Sequence, residues 1–284
     1  MKNKTSIIQM LKQTGLSFAI CLICLTVVGV VTSIFAPEEM ITPVIQINEL
    51  EGKYISFMGD SITTYQGWNN NTDYNSTIGS NAVWYDSSKM SDVDNTWWKQ
   101  TTDDLQLELC VNNAWSGSRV TTTSSSTSAS CMSRTANLHN DKKNITPDII
   151  VIYIGINDYR GNVTLGSFNK LSDVYNVNTK TYTGDTTVFA EAYAIMVHKV
   201  KNAYPEADIY LCNLPYYYDG VADWNKQIKN IADVFNVNLV DFYNDSSITP
   251  DTLSILMIDN LHPNEAGMKT MADCVKKVIE ENYN

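Results

Sequence analysis

The chain is poor in several residue types that particular functions need. It has three histidines in 284 residues, and 20 lysines and arginines against 31 aspartates and glutamates. A net charge of −11 and a pI near 4.7 exclude DNA or RNA as natural partners, because phosphate backbones are held by basic surfaces. No Cys-x-x-Cys with accompanying histidines occurs after residue 36, so a zinc site is not expected. The six cysteines form no disulfide framework. Cys21 and Cys24 lie in an apolar run, and Cys110, Cys212 and Cys274 fall in expected strands or a helix, where buried free thiols are the simpler reading. An oxidising exterior would still permit a Cys110–Cys131 bridge. There is no Gly-x-Ser-x-Gly elbow, which disfavours the α/β-hydrolase fold. There is no internal repeat and no second linker.

What is present begins with Gly15 to Ala36, an uncharged apolar stretch of roughly 20 residues, about the length of a membrane-spanning helix. Lys2, Lys4 and Lys12 precede it and Glu38 and Glu39 follow. The positive-inside rule then keeps the amino terminus in the cytoplasm and places the rest outside the cell. A cleaved signal peptide competes with an anchor, but Ile34-Phe-Ala36 followed by Pro37 is a poor cleavage site. The expected organisation is an anchor or signal segment over 1–36, a linker over 37–50 and one domain over 51–284. The protein is expected to be exported, and secreted if the first segment is cut.

Within the domain, apolar runs at Tyr54–Met58, Leu105–Val111, Ile149–Ile154, Ile209–Asn213 and Asn238–Phe242 read as strands. Several are apolar on successive residues, the mark of strands covered on both faces. Helical patterns alternate with them: Thr187–Tyr204 with Asp185 as cap and Pro205 as stop, Val221–Phe235, and Asn264–Tyr283. The alternation predicts an α/β three-layer sandwich, an open parallel sheet of about five strands between helices. Asn69–Asp94 and the hydroxyl run Thr121–Ser130 fall outside the pattern and read as loops.

Ligands of such sheets bind beyond the carboxyl ends of the strands. Four motifs fall there: Gly59-Asp60-Ser61 after the first strand, Asn112 to Arg119 after the second, Gly155-Ile-Asn157-Asp158 after the third, and Asp259-Asn-Leu-His262 before the last helix. A serine hydroxyl becomes a nucleophile only beside a base that is itself oriented, and Ser61, His262 and Asp259 are the groups required. His139 lies in a polar segment and His198 reads as the exposed flank of a helix; His262 alone has an acid three residues before it. Asp60 and Asp158 read as turn-forming.

The four blocks, in order and over about residues 51–284, resemble the SGNH hydrolases, also called the GDSL esterase/lipase family. The resemblance implies a flavodoxin-like fold and a carboxylic ester hydrolase. It places the nucleophile on Ser61, the base on His262, the orienting acid on Asp259, and the oxyanion hole on Ser61, Gly117 and Asn157. Gly-Asp-Ser-Ile stands where the family has Gly-Asp-Ser-Leu, which keeps an apolar residue after the serine. The long segment Gly161–Gly184 reads as a lid-like insertion or hairpin over the site.

The family acts on several ester classes, so fold does not choose the substrate. Trp68, Trp84, Tyr85 and Tyr216–Tyr218 could stack on sugars, although most of the aromatics, Trp97 and Trp98 above all, read as core. The loops show no long apolar stretch for an acyl tail. The favoured function is removal of short acyl groups, acetyl foremost, from carbohydrate. A lipase or lysophospholipase, a glycan O-acyltransferase, and a glycan-binding module with a vestigial hydrolase fold are the alternatives.

Overall fold

The computed structural model describes residues 49–68, 83–123 and 131–283. The expected anchor and most of the linker therefore lie outside the described residues, as do 69–82 and 124–130 of the two expected loops. Among the described residues, no helix is long and apolar enough to cross a membrane.

The strands are β1 (Tyr54–Gly59), β2 (Glu108–Ala114), β3 (Ile149–Tyr153), β4 (Tyr175–Asn176), β5 (Thr181–Tyr182), β6 (Asp208–Cys212) and β7 (Asn238–Val240). The longer helices are α1 (Trp97–Asp104), α2 (Ile156–Arg160), α3 (Phe189–Ala203), α4 (Val221–Phe235) and α5 (Glu265–Asn282). β1, β2, β3, β6 and β7 form one parallel sheet in the order β2-β1-β3-β6-β7, flanked by helices. With the separate β4–β5 hairpin set aside, this is the flavodoxin-like order. All five residues of the central strand β3 are buried, as its unbroken apolar run requires.

The core is aromatic on one flank of β1. Phe57 meets Trp97 edge-on at 5.3 Å and Trp98 at 6.1 Å, and all three are fully buried. Each such side chain contributes on the order of 1.5–3 kcal/mol by leaving water. Leu50, at the end of the expected linker, is buried and belongs to the core. Cys110, Cys212 and Cys274 are buried free thiols, and the Cys110–Cys131 bridge is not formed.

Several boundaries move for local reasons. The second strand begins at Glu108 rather than Leu105, because α1 runs to Asp104 and Gln106 turns the chain with φ 58°. Phe242 leaves the sheet for a short helix capped by Asp241, whose side chain accepts from the Asn244 N–H. Asp185 does not cap α3; its carboxylate accepts from the Thr187 N–H and hydroxyl instead. Asn264 caps α5 through the Gly267 N–H.

Of the two readings of Gly161–Gly184, lid-like insertion or hairpin, the structure shows the hairpin, β4 with β5. Phe168 stacks on Phe235 at 5.7 Å and 7°, and Tyr175 of the hairpin packs on His198 at 4.6 Å. Phe235 ends α4 and His198 lies in the second half of α3. In a parallel βαβ unit the helix carboxyl ends lie away from the strand carboxyl ends, so this strap runs along the outer helices. His198 is accordingly half-buried rather than on an exposed flank, and burial lowers its pKa.

Candidate active site

Register assembles the site. Gly59 pairs with Ala114 on one side and Tyr153 on the other, so β1, β2 and β3 end level and their loops leave one edge. Gly59 permits the tight exit: a Cβ there would lie 2.7 Å from Thr63 Cβ and 3.1 Å from the Tyr153 carbonyl oxygen. Asp60 then accepts from the Ile62 N–H at 3.0 Å, which winds Ser61–Thr63 into one 3-10 turn.

At that turn His262 Nε2 lies 3.0 Å from Ser61 Oγ, and His262 Nδ1 lies 2.9 Å from Asp259 Oδ2. A carboxylate only accepts, so Nδ1 carries the proton and Nε2 is left to accept from the serine hydroxyl. Asp259 Oδ1 accepts the Leu261 and His262 N–H groups, each at 2.7 Å. Burial acts to raise the Asp259 carboxyl, but these bonds and the His262 side chain together leave it below the ordinary carboxylate value. Burial lowers the His262 pKa; Asp259 opposes this, Arg160 and Lys89 reinforce it, and the net shift is downward. The imidazole is therefore neutral at neutral pH, as a proton acceptor must be.

The other two blocks face the same edge. Gly117 is exposed with φ +75°, a left-handed backbone that glycine adopts without strain, and no atom lies within 4 Å of where a Cβ would sit. The Asn157 amide donates one N–H to the Ser118 carbonyl at 3.0 Å. That bond fixes the amide beside the Gly117 loop and leaves its second N–H to donate elsewhere. Ser61, His262, Asp259, Gly117 and Asn157 are thus gathered at one sheet edge, each on the block that the sequence singled out.

Two buried side chains stitch these loops together, and neither was foreseen in that role. Asp158 accepts from the Val120 N–H at 2.9 Å and from Thr121 N–H and hydroxyl at 3.1 and 2.7 Å, which locks the loop after Gly117 to the block after β3. Arg134, fully buried, donates to the Asn113 and Gly59 carbonyls at 2.7 and 3.2 Å and to Ser118 Oγ at 2.5 Å. Asp60 and Asp158 do serve turns, but Asp158 does so across two motifs. Arg134 lies in a segment with no motif, so only the fold reveals it.

Trp84 is the third. Its indole stacks on the His262 imidazole at 3.6 Å and 9°. The Trp84 backbone N–H donates to Thr64 Oγ1 at 2.9 Å, and the Thr64 hydroxyl donates to the Ser61 carbonyl at 2.8 Å. The next residue, Tyr85, donates its hydroxyl to the Pro263 carbonyl at 2.7 Å. The segment around Trp84 thus grips both the serine turn and the histidine loop.

A flavodoxin-like sheet with a hydrogen-bonded Ser-His-Asp series at its carboxyl edge is an arrangement that can activate a serine for acyl transfer. Residues 53–279 match the family of GDSL-like lipases/acylhydrolases, and the chain belongs to it. No curated protein matches the chain. Among solved structures, one described as a GDSL-like lipase from Bacteroides ovatus superposes with TM-score 0.62 at 22% identity, covering 82% of this chain and 100% of that one. A second so described, from Bacteroides uniformis, gives 0.59 at 21%, covering 81% and 97%. An active-site mutant of a family two carbohydrate esterase from Clostridium thermocellum gives 0.52 at 18%, covering 81% of this chain and 64% of that one. Likeness at such identities carries the fold.

Proposed function

We propose that the protein is an exported esterase that removes acetyl or other short acyl groups from carbohydrate, with Ser61 as nucleophile, His262 as base and Asp259 orienting it. The observation that carries this reading is the unbroken series from Ser61 Oγ to His262 Nε2 and from His262 Nδ1 to Asp259 Oδ2, at 3.0 and 2.9 Å. Ser61 Oγ attacks the ester carbonyl carbon while its proton passes to His262 Nε2. The carbonyl π pair moves to oxygen, which accepts from the backbone N–H groups of Ser61 and Gly117 and from the Asn157 amide. As the pair returns, the ester C–O bond breaks and the leaving alcohol takes the proton from Nε2. Water then gives a proton to Nε2 and adds to the acyl-serine; collapse releases the carboxylic acid and returns the proton to Ser61 Oγ. No metal or organic cofactor enters these steps.

Export rests on the apolar segment Gly15–Ala36 and the lysines before it. Carbohydrate as the acyl carrier is supported by the carbohydrate esterase among the similar folds. A lipid-directed reading draws on Ile255 and Ile258, 66% and 42% exposed beside Asp259. The deciding experiment measures acid release by the full chain and its Ser61→Ala form from acetylated oligosaccharides and from p-nitrophenyl esters of rising chain length. Turnover confined to short acyl groups and lost with Ser61→Ala supports the proposal. A rate that climbs with chain length favours the lipid reading, and wild-type turnover that survives Ser61→Ala removes the assigned nucleophile.

A further inference from the structure

Each of the two non-serine oxyanion blocks carries an arginine just beyond its donor: Gly117-Ser118-Arg119 and Asn157-Asp158-Tyr159-Arg160. Asn157 and Arg160 stand three apart on α2, which puts them on one helix face with Cβ atoms about 5–6 Å apart. Arg119 comes to the same place from the other loop. Its guanidinium lies against Gly161, so close that a Cβ on Gly161 would sit 2.5 Å from Arg119 Cζ. Two guanidinium-bearing residues from different loops thus flank one turn at the rim of the site. Arg160 is exposed and Arg119 partly so.

Neither arginine makes a salt bridge among the described residues, although the Arg119 charge acts on the buried Asp158 carboxyl. Among the described residues, no carboxylate lies within ion-pair distance of Arg119 or Arg160, and Arg119 donates only to Thr123 Oγ1, at 3.3 Å. The acids nearby are engaged: Asp158 by Val120 and Thr121, Asp259 by His262 and Leu261, and Asp219 by the Tyr216 hydroxyl. In a chain of net charge −11, two guanidinium groups without a salt bridge at the rim of the site leave a local patch of positive charge there. A cation at a helix carboxyl end can offset the helix dipole, which would account for Arg160 on α2 but not for Arg119. The planar guanidinium fork fits carboxylate and phosphate two-pronged.

We propose that Arg119 and Arg160 form an anion subsite beside the oxyanion donors, and that the natural ester is borne on an alcohol carrying a carboxylate or a phosphate, such as an O-acetylated uronate chain. This inference rests on the esterase reading above and narrows its substrate. The anion stays unreacted; its contacts hold the alcohol part while Ser61 meets the acyl carbon.

The test compares four acetyl esters with the full chain: p-nitrophenyl acetate, an O-acetylated galacturonate oligomer, the same oligomer with its carboxylates methyl-esterified, and acetylated glycerol phosphate. The expected result is a kcat/KM at least about tenfold higher for one or both charged esters than for the methyl-esterified oligomer, with the gap closing at high salt. Preference for the galacturonate or the phosphate ester identifies which anion it is. Arg119→Gln and Arg160→Gln should each narrow the gap by about threefold or more, chiefly through KM, and the double variant should close it. Arg160→Lys should retain part of it, which separates lost charge from disturbed folding. Equal kcat/KM for the charged and methyl-esterified oligomers, with p-nitrophenyl acetate still hydrolysed, would overturn the subsite and leave the esterase standing. Absence of turnover on every ester would overturn the esterase reading and the subsite with it.

Discussion

The indole of Trp84 lies flat on the imidazole of His262, 3.6 Å away and 9° from parallel. The contact fixes the ring plane that the Asp259 hydrogen bond alone leaves free to rock, and it shields one face of the base from water. Trp84→Ala should lower kcat/KM by about tenfold or more, since a misplaced base costs up to about 10²-fold. Burial is the largest cause of the lowered His262 pKa, so exposing the ring should raise the acid limb of the pH–rate profile toward 6.5. Trp84→Phe keeps a stacked ring and should fall between. An acid limb unmoved in Trp84→Ala would mean that the stack does not shape the base.

The wild-type profile follows from the same shift. His262 must be neutral to accept the Ser61 proton, and its pKa lies below the ordinary 6.5. The rate should therefore reach half of its plateau at a pH below 6.5. A half-maximal rate at or above pH 6.5 would contradict the depressed pKa.

Asp259 differs from a fully enclosed triad acid: its side chain is 47% exposed, while that of His262 is 9% exposed. Water can replace part of its hydrogen bonding, and Trp84 shares the task of orientation. Asp259→Asn should therefore reduce kcat by about 10²–10³, less than the roughly 10⁴ typical of an enclosed triad aspartate. A loss of 10⁴ or more would assign orientation to Asp259 alone.

Much of this was legible in the sequence because it is short-range or periodic. The unbroken apolar run of β3 announces a covered parallel strand, and the serine, glycine, asparagine and Asp-x-x-His blocks announce themselves at strand ends. The grip of Trp84 on His262 was not legible, since it joins residues 178 positions apart through neither motif nor period. Arg134 was hidden for the same reason. The segment 161–184 does contain the expected hairpin, but its place on the outer helices was not legible, since that depends on Phe168 meeting Phe235.

Asp158 tests whether the two loops are coupled. It satisfies two backbone N–H groups and a hydroxyl while fully buried. Asp158→Ala leaves those donors without a partner, which should cost about 2–4 kcal/mol in urea unfolding. It should also lower kcat more than KM, because it frees the Gly117 loop from the Asn157 block. A loss of stability with kcat intact would limit Asp158 to the scaffold.

Asp60 gives a prediction with a pH signature. It is fully buried, one oxygen accepts from Ile62, and the other has no hydrogen-bond partner. Burial pushes its pKa up to about 7, from 3.8 for an exposed carboxyl. Because the folded value is the higher one, the folded state holds the proton more tightly. That contribution to stability is complete below about pH 4 and is lost as pH rises through 7. Asp60→Asn removes the titration, so its stability relative to wild type should climb between pH 4 and 8, by on the order of 2–4 kcal/mol in all. His262 titrates in both proteins and cancels from the difference. Paired urea titrations at pH 5 and pH 8 measure it, and the same difference at both would show that Asp60 does not titrate in this range.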